Sequence, residues 1–144
     1  MRKIKVLISI FFVTIVLFSC SHPKPNSSEI VGNWIGLNNG ILIFNNDGTF
    51  QAKSLPSDFF YVWNKLDNNS FNGSGNWEII KSKSIEPYWL IDITFQKTSV
   101  NKSNFGMPLM IARSGLGGSS SEITSLFIWK GDPDEDNRYE FYKE

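Results

Sequence analysis

The chain predicts an all-β domain, a small antiparallel meander β-barrel of about eight strands. Three observations lead there. Apolar residues recur with a period of two, as in "YWLIDITFQK", where Trp89, Ile91, Ile93 and Phe95 share one face. Turn clusters rich in Gly, Asn and Asp interrupt these runs, at 38–40, 45–48, 66–75, 114–121 and 130–137. Beyond residue 28, no stretch keeps a 3.6-residue period over three turns.

Taken in order, the candidate strands are 30–37, 40–45, 49–54, 59–64, 74–81, 88–97, 105–113 with a break at Pro108, 123–130, and a closing strand 138–143. "NNG" and "NNDG" sit between the first three, and Asn-Gly or Asp-Gly between apolar runs marks a hairpin whose turn needs positive φ. Segment 59–64 crowds Phe59, Phe60, Tyr61, Val62 and Trp63 together, so both its faces are large and apolar. "GNWEII" places Trp77 and Ile79 on one face. "TSLFIWKG" is apolar on both faces, as in a covered strand, and "RYEFYK" sets Tyr139 and Phe141 opposite Arg138, Glu140 and Tyr142. These are nine candidates for about eight places, so one is a loop or the barrel is supplemented.

The N-terminus reads as an address. Arg2, Lys3 and Lys5 precede a run from Val6 to Phe18 that is apolar except for Ser9 and Thr14. A bilayer span needs about 20 apolar residues, and this run is shorter, with the flanks of a secretory signal. Cys20, the only cysteine, follows at once. Leu17-Phe18-Ser19-Cys20 resembles the lipobox of bacterial lipoproteins, with Leu17 three positions ahead of the cysteine and a small residue just before it. The resemblance implies cleavage after a signal peptide of residues 1–19 and a diacylglycerol on the Cys20 sulfur. Two or three acyl chains anchor stably where one does not. Residues 20–28 then form a polar tether containing Pro23, Pro25, Asn26, Ser27 and Ser28, ahead of a domain at 29–144. Ser21 beside the cysteine resembles lipoproteins passed on to the outer membrane, which implies an envelope location facing the periplasm.

Composition narrows the function. Three of the 14 basic residues lie in the first five positions, so the chain from Cys20 carries 11 basic and 14 acidic side chains, a formal charge of −3. A nucleic-acid partner wants a basic footprint, so this class is disfavoured. With one cysteine, no disulfide within the chain supports the domain. Packing must do so, and the five Trp, nine Phe and four Tyr beyond residue 28 supply the bulk.

"VGNWIG…ILIFNNDGTFQAK…GSGNWEI" resembles the lipocalin-like domains of bacterial lipoproteins. The matching motifs are Gly32-x-Trp34 on the first strand, the Phe44–Phe50 hairpin, and Gly75-x-Trp77 on a later strand. They cover about the first half of the domain and mostly encode strand, turn, strand. Lipocalins proper add a Thr-Asp-Tyr turn, absent here, and an Arg near the last strand that stacks on the first Trp; the resemblance gives Arg138 that role. Trp34 is read first as a plug at the barrel bottom and Asp47-Gly48 as a plain turn.

No catalytic centre is expected. The only histidine, His22, stands beside the lipidation site, so neither a His base nor His-ligated zinc belongs to the domain. No cofactor or metal is expected. "SGLGGSSS" lacks the Lys and the following helix of a phosphate loop. Asp132, Asp134 and Asp136 have the opening spacing of a calcium loop, but Asn137 and Lys143 occupy the places of its Gly and bidentate Glu, so they read as solvated turn charges. Two functions remain. One is a lipid-anchored binder of a small apolar ligand, with Trp34, Phe59, Tyr61, Trp63 and Trp89 lining the site. The other is a protein-binding lipoprotein, an inhibitor of an envelope enzyme or an immunity protein against an exported toxin, acting through loops such as 66–75 and 114–121. The first predicts an interior void; the second predicts a filled core and an outer patch.

Overall fold

The computed structural model describes residues 23–36, 39–59, 70–83, 89–100, 104–114 and 122–144. Eight strands close into one antiparallel barrel in the order of the sequence: β1 (Gly32–Gly36), β2 (Ile41–Phe44), β3 (Thr49–Pro56), β4 (Ser70–Lys81), β5 (Trp89–Thr98), β6 (Phe105–Arg113), β7 (Ile123–Trp129) and β8 (Arg138–Lys143). Closure is made by β1 and β8, with Trp34 opposite Lys143 and Gly36 opposite Phe141. A closed meander leaves no open sheet edge, so about eight short strands suffice without a second layer. Two ends can be defined. The proximal end carries the N-terminal segment, the β2–β3 hairpin and the last residues of β4, β6 and β8. The distal end carries the start of β4 and the β7–β8 turn.

The hairpin between β2 and β3 shows what the motif Phe44–Phe50 encodes. Asp47 Oδ1 accepts from the Thr49 backbone N–H at 2.9 Å and from its hydroxyl at 2.6 Å, and Gly48 takes φ +79°. Any side chain there would meet the left-handed penalty that glycine avoids. Trp77 then ties β4 to this turn. Its indole N–H donates to the Asn45 carbonyl at 3.1 Å, and its ring meets Phe44 edge-on at 5.4 Å.

The sequence reading places a turn over 66–75; the structure instead starts β4 at Ser70. Gly73 and Gly75 are strand residues, and the reason is space. A Cβ on Gly73 would lie 2.6 Å from the Phe95 ring, and one on Gly75 would lie 1.8 Å from the Thr94 carbonyl oxygen. These glycines let β5 approach β4 at a bulge between Ser74 and Gly75. Candidate strand 59–64 is not a barrel strand at its first residue: Phe59 ends a 3-10 turn, Ser57–Phe59, and 60–64 lie outside the described residues. The break expected at Pro108 does not occur. Its ladder partner on β5 is Asp92, whereas pairing with β7 begins only at Met110, so Pro108 sits where β6 has a single ladder neighbour.

Inward positions are filled by large side chains. Trp34, Phe44, Phe50, Phe59, Phe71, Phe95 and Phe141 are all at most 2% exposed. They touch in series: Phe44 to Phe50 at 6.2 Å, Phe50 to Phe95 at 4.9 Å edge-on, Phe71 to Phe95 at 5.9 Å, and Phe95 stacked on Phe105 at 4.9 Å. Each fully buried Phe contributes about 1.5–3 kcal/mol of transfer free energy.

A short helical turn stands ahead of β1. Pro25 is buried, and α1 (Ser27–Ile30) makes one helical turn, opened by a capping box between Asn26 and Glu29. That turn seats Ile30 in the core with no exposed surface. Of the residues expected at the end of the tether, Pro25 is buried, whereas Asn26, Ser27 and Ser28 are exposed. The Asn26 N–H donates to the Glu29 carboxylate at 2.7 Å and closes the start of that turn.

Candidate binding face

Trp34 is the plug the sequence reading expects first. Its ring is fully buried, and its indole N–H donates to the Ile30 carbonyl at 2.7 Å. The expected stacking of Arg138 on Trp34 is not made. Residues 139, 141 and 143 of β8 have the inward parity, so Arg138 points out, and the cation above the Trp34 ring is Lys143, at 5.7 Å. The Lys143 ammonium also donates to the Glu29 carbonyl at 2.7 Å, and Arg113 pairs with the Glu29 carboxylate at 3.2 Å. One glutamate thus links α1 to β6 through its side chain and to β8 through its backbone.

Of the other expected ligand-site residues, the described two, Phe59 and Trp89, do not converge. Phe59 packs on Phe141 at 5.8 Å and on Tyr139 at 5.6 Å, at the distal end. Trp89 is half-buried at the proximal rim, opposite Lys81, with the Lys24 ammonium 5.7 Å from its ring. The twelve-residue strand β4 separates those ends, since Pro56 pairs with Ser70 and Trp89 with Lys81. Tyr61, Trp63 and Cys20 lie outside the described residues.

Outside the barrel, the outward residues of β7, β8 and β1 form a continuous face. Phe127 and Trp129 meet edge-on at 5.3 Å, and the Arg138 guanidinium covers both, at 4.8 and 5.7 Å. Arg138 Nε pairs with the Glu140 carboxylate at 3.3 Å, and the other Glu140 oxygen accepts from the buried Ser125 hydroxyl at 2.5 Å. Burial pushes the Glu140 carboxyl up. The hydroxyls of Ser125 and Tyr142 together with Arg138 outweigh this and hold it below its ordinary value. Glu140 in turn raises the Tyr142 phenol. Tyr142 and its ladder neighbour Ile35 are large apolar side chains left open to solvent, at 44% and 38%. Aromatic and Arg side chains with polar groups already paired at their margin are the composition of a protein-binding surface.

At the distal end, Asp58 joins this wall to the 3-10 turn. It pairs with the Lys130 ammonium at 2.6 Å and accepts from the Tyr139 hydroxyl, while Lys130 lies 5.0 Å above the Tyr139 ring. Lys130 holds the Asp58 carboxyl below its ordinary value and is itself raised by Asp58. Burial, then Asp58, raises the Tyr139 phenol. A cleft of about 180 Å3 beside this trio is lined by Gly36, Gly40, Pro56, Lys130, Tyr139 and Phe141. Pockets for drug-sized ligands run from about 300 Å3 upward, so this cleft is smaller than those. A shallower trough lies over β3 and β4, where the register shifts between Ala52 and Leu55.

The acidic turn is accounted for locally. Asp132 caps the 3-10 turn Pro133–Glu135 by accepting from the Asp134 N–H at 3.0 Å, and Asp136 takes a left-handed φ of +47°. Among the described residues, no group of three or more His, Cys, Asp or Glu is placed to hold a metal.

The fold therefore defines a closed, eight-stranded antiparallel meander barrel whose described core residues form one apolar cluster, with an aromatic outer wall. Comparison with family models, curated proteins and solved structures finds no match to this chain.

Proposed function

We propose that this chain is a lipid-anchored envelope lipoprotein, held at the outer membrane facing the periplasm, whose barrel performs no chemistry and binds a protein partner through its outer wall. The observation that carries the choice of a protein over a small apolar ligand is the interior. Seven large aromatic side chains, at most 2% exposed, occupy the space a carrier would keep for cargo. A barrel of about eight strands has room for its own side chains or one small ligand, and the packed core among the described residues supports the first. The wall formed by Ile35, Tyr142, Arg138, Phe127 and Trp129 offers the contrasting feature, aromatic area at a surface. Support for the anchor is the lipobox around Cys20. An inhibitor of an envelope enzyme and an immunity protein against an exported toxin both fit this reading.

Two measurements test it. In the full chain, Cys20→Ala abolishes palmitate incorporation and membrane fractionation; continued labelling sinks the anchor. A photocrosslinking residue at Tyr142 or Ile35 gives a discrete product in cells, whereas one at Lys53, on the β3 wall, does not. Apolar probes give no saturable change in tryptophan fluorescence. A fatty acid that binds one per chain, with the signal diminished in Trp63→Ala, would replace the protein partner with the carrier function.

A further inference from the structure

We infer that the partner is a basic protein, which lays an apolar patch on the outer side of β5, β6 and β7, at Leu90, Met110 and Phe127, and sets its cations against Asp92 and Glu78. This rests on the protein-partner reading above and adds to it the chemistry of the partner and a second half of the surface.

Four apolar side chains form a row across the outside of the barrel. Ile80 lies opposite Leu90, Leu90 opposite Met110, and Met110 opposite Phe127, so β4 to β7 contribute one residue each at the same level. Successive side chains of a strand point to opposite faces. The chain neighbours Ile79, Ile91, Leu109 and Leu126 are core residues or pack against the core, so the row faces outward. All four of its members are partly open to solvent. Phe127 also meets Trp129 and carries the Arg138 guanidinium, so the row runs into the wall of β7, β8 and β1. Neighbouring strands lie about 4.8 Å apart, so Leu90, Met110 and Phe127 together span roughly 10 Å. Apolar area that continues into an aromatic pair covered by Arg has the make-up of the centre of an interface.

Two residues towards the distal end, carboxylates edge this row. Glu78 and Asp92 are ladder partners on the same outer face as Ile80 and Leu90. Like charges directly opposite each other on a sheet repel, and among the described residues neither carboxylate is in an ion pair. Further acids stand on the row's distal side: Glu140 on β8, and Asp132, Asp134, Glu135 and Asp136 in the exposed β7–β8 turn. The bases on that side are Arg138, held by Glu140, Lys130, held by Asp58, and Lys97 near the end of β5. The distal side is therefore acidic with every described base counted. Lys24, Lys81 and Lys83 lie on the proximal side, so the partner's cations belong on the distal one. A cation about 7 Å from the partner's apolar patch, two strand residues at roughly 3.3 Å each, reaches Asp92 and Glu78. Such a cation relieves their mutual repulsion, and complementary charge beside an apolar contact selects the partner and speeds its encounter. A second copy of this chain would bring the same acids to the same place, so a basic protein fits where a copy does not.

The test places a photocrosslinking residue at Met110 of the full chain, in cells. A discrete product is expected, and the captured protein, identified by mass spectrometry, should carry a net positive charge. The yield should fall several-fold in the Glu78→Lys/Asp92→Lys variant and by a smaller factor in Glu78→Gln/Asp92→Asn, which keeps the test open if the charge reversal fails to fold. Lys53→Glu, on the β3 wall, should leave the yield unchanged. A product at Tyr142 with none at Met110 overturns this seat and leaves the protein-partner reading standing. An acidic or neutral captured protein, a product made only of this chain, or a yield indifferent to the charge variants in folded protein overturns the basic partner in the same way. No product at Met110, Tyr142 or Ile35 overturns both readings together.

Discussion

Gly75 shows how little tolerance single positions have. A methyl group there would overlap the Thr94 carbonyl, which is backbone and cannot rotate away. Overpacking against movable side chains costs about 1–3 kcal/mol, and a backbone clash at a bulge costs at least the upper part of that range. Gly75→Ala should therefore lower the urea midpoint sharply or prevent folding, whereas Gly106→Ala, whose nearest contacts are 3.5 Å away, should change it little. Asp58 offers a milder, pH-dependent case. Its pKa is depressed from 3.8, so its stabilisation is present above that value and lost as pH falls through the lower folded value. Lys130 and Tyr139 are raised from 10.5 and 10.0, so their contributions are present below those values and lost as pH rises through the folded ones. Since the Asp58 side chain is half exposed, the ion pair is worth only about 0.2–1 kcal/mol. Asp58→Asn should remove roughly that much at neutral pH and flatten the acid limb of the stability curve. An unchanged acid limb, read by chemical denaturation across pH, would show that the trio does not hold the distal turn.

Among the elements, α1 matters out of proportion to its length. One isolated helical turn is unstable in water, so it exists because Ile30 is buried and Glu29 is bound from two strands. A chain of residues 23–144 should melt cooperatively, and a chain of 31–144 at a clearly lower temperature. Ile30→Ala in the longer chain should cost about 2–5 kcal/mol, the range for a buried Ile truncated to Ala. Matching melting temperatures for the two lengths would show that α1 adds nothing to the stability of the barrel.

The whole barrel depends on its last strand. β8 pairs with β7 and with β1, a chain separation of more than a hundred residues, so its loss opens the cylinder along two ladders at once. A chain ending at Asn137 also loses Phe141, a core residue, and Lys143, the cation over Trp34. It should show no cooperative unfolding transition and no near-ultraviolet dichroism from fixed tryptophans. Retention of both would mean that the first seven strands fold alone.

The sequence by itself determined the class of fold and most strand positions. Period-two alternation and Asn/Asp-Gly turns are local codes, read within a few residues, and β2, β3, β5, β6, β7 and β8 fall close to where those codes put them. The same local reading took Gly73 and Gly75 for a turn, because a glycine that ends a strand and one that admits a neighbour look alike in one dimension. It gave Arg138 to Trp34 by analogy, when strand parity hands that place to Lys143. It also spread the expected ligand site over Phe59 and Trp89, which the barrel sets at opposite ends. What only the tertiary structure decided was which of the described aromatics pack together inside, which of them lie on the outer wall, and which cation stands over Trp34. Each depends on contacts between residues far apart in the chain, and the distance between two side chains is fixed by closure of the barrel, not by their neighbours in sequence.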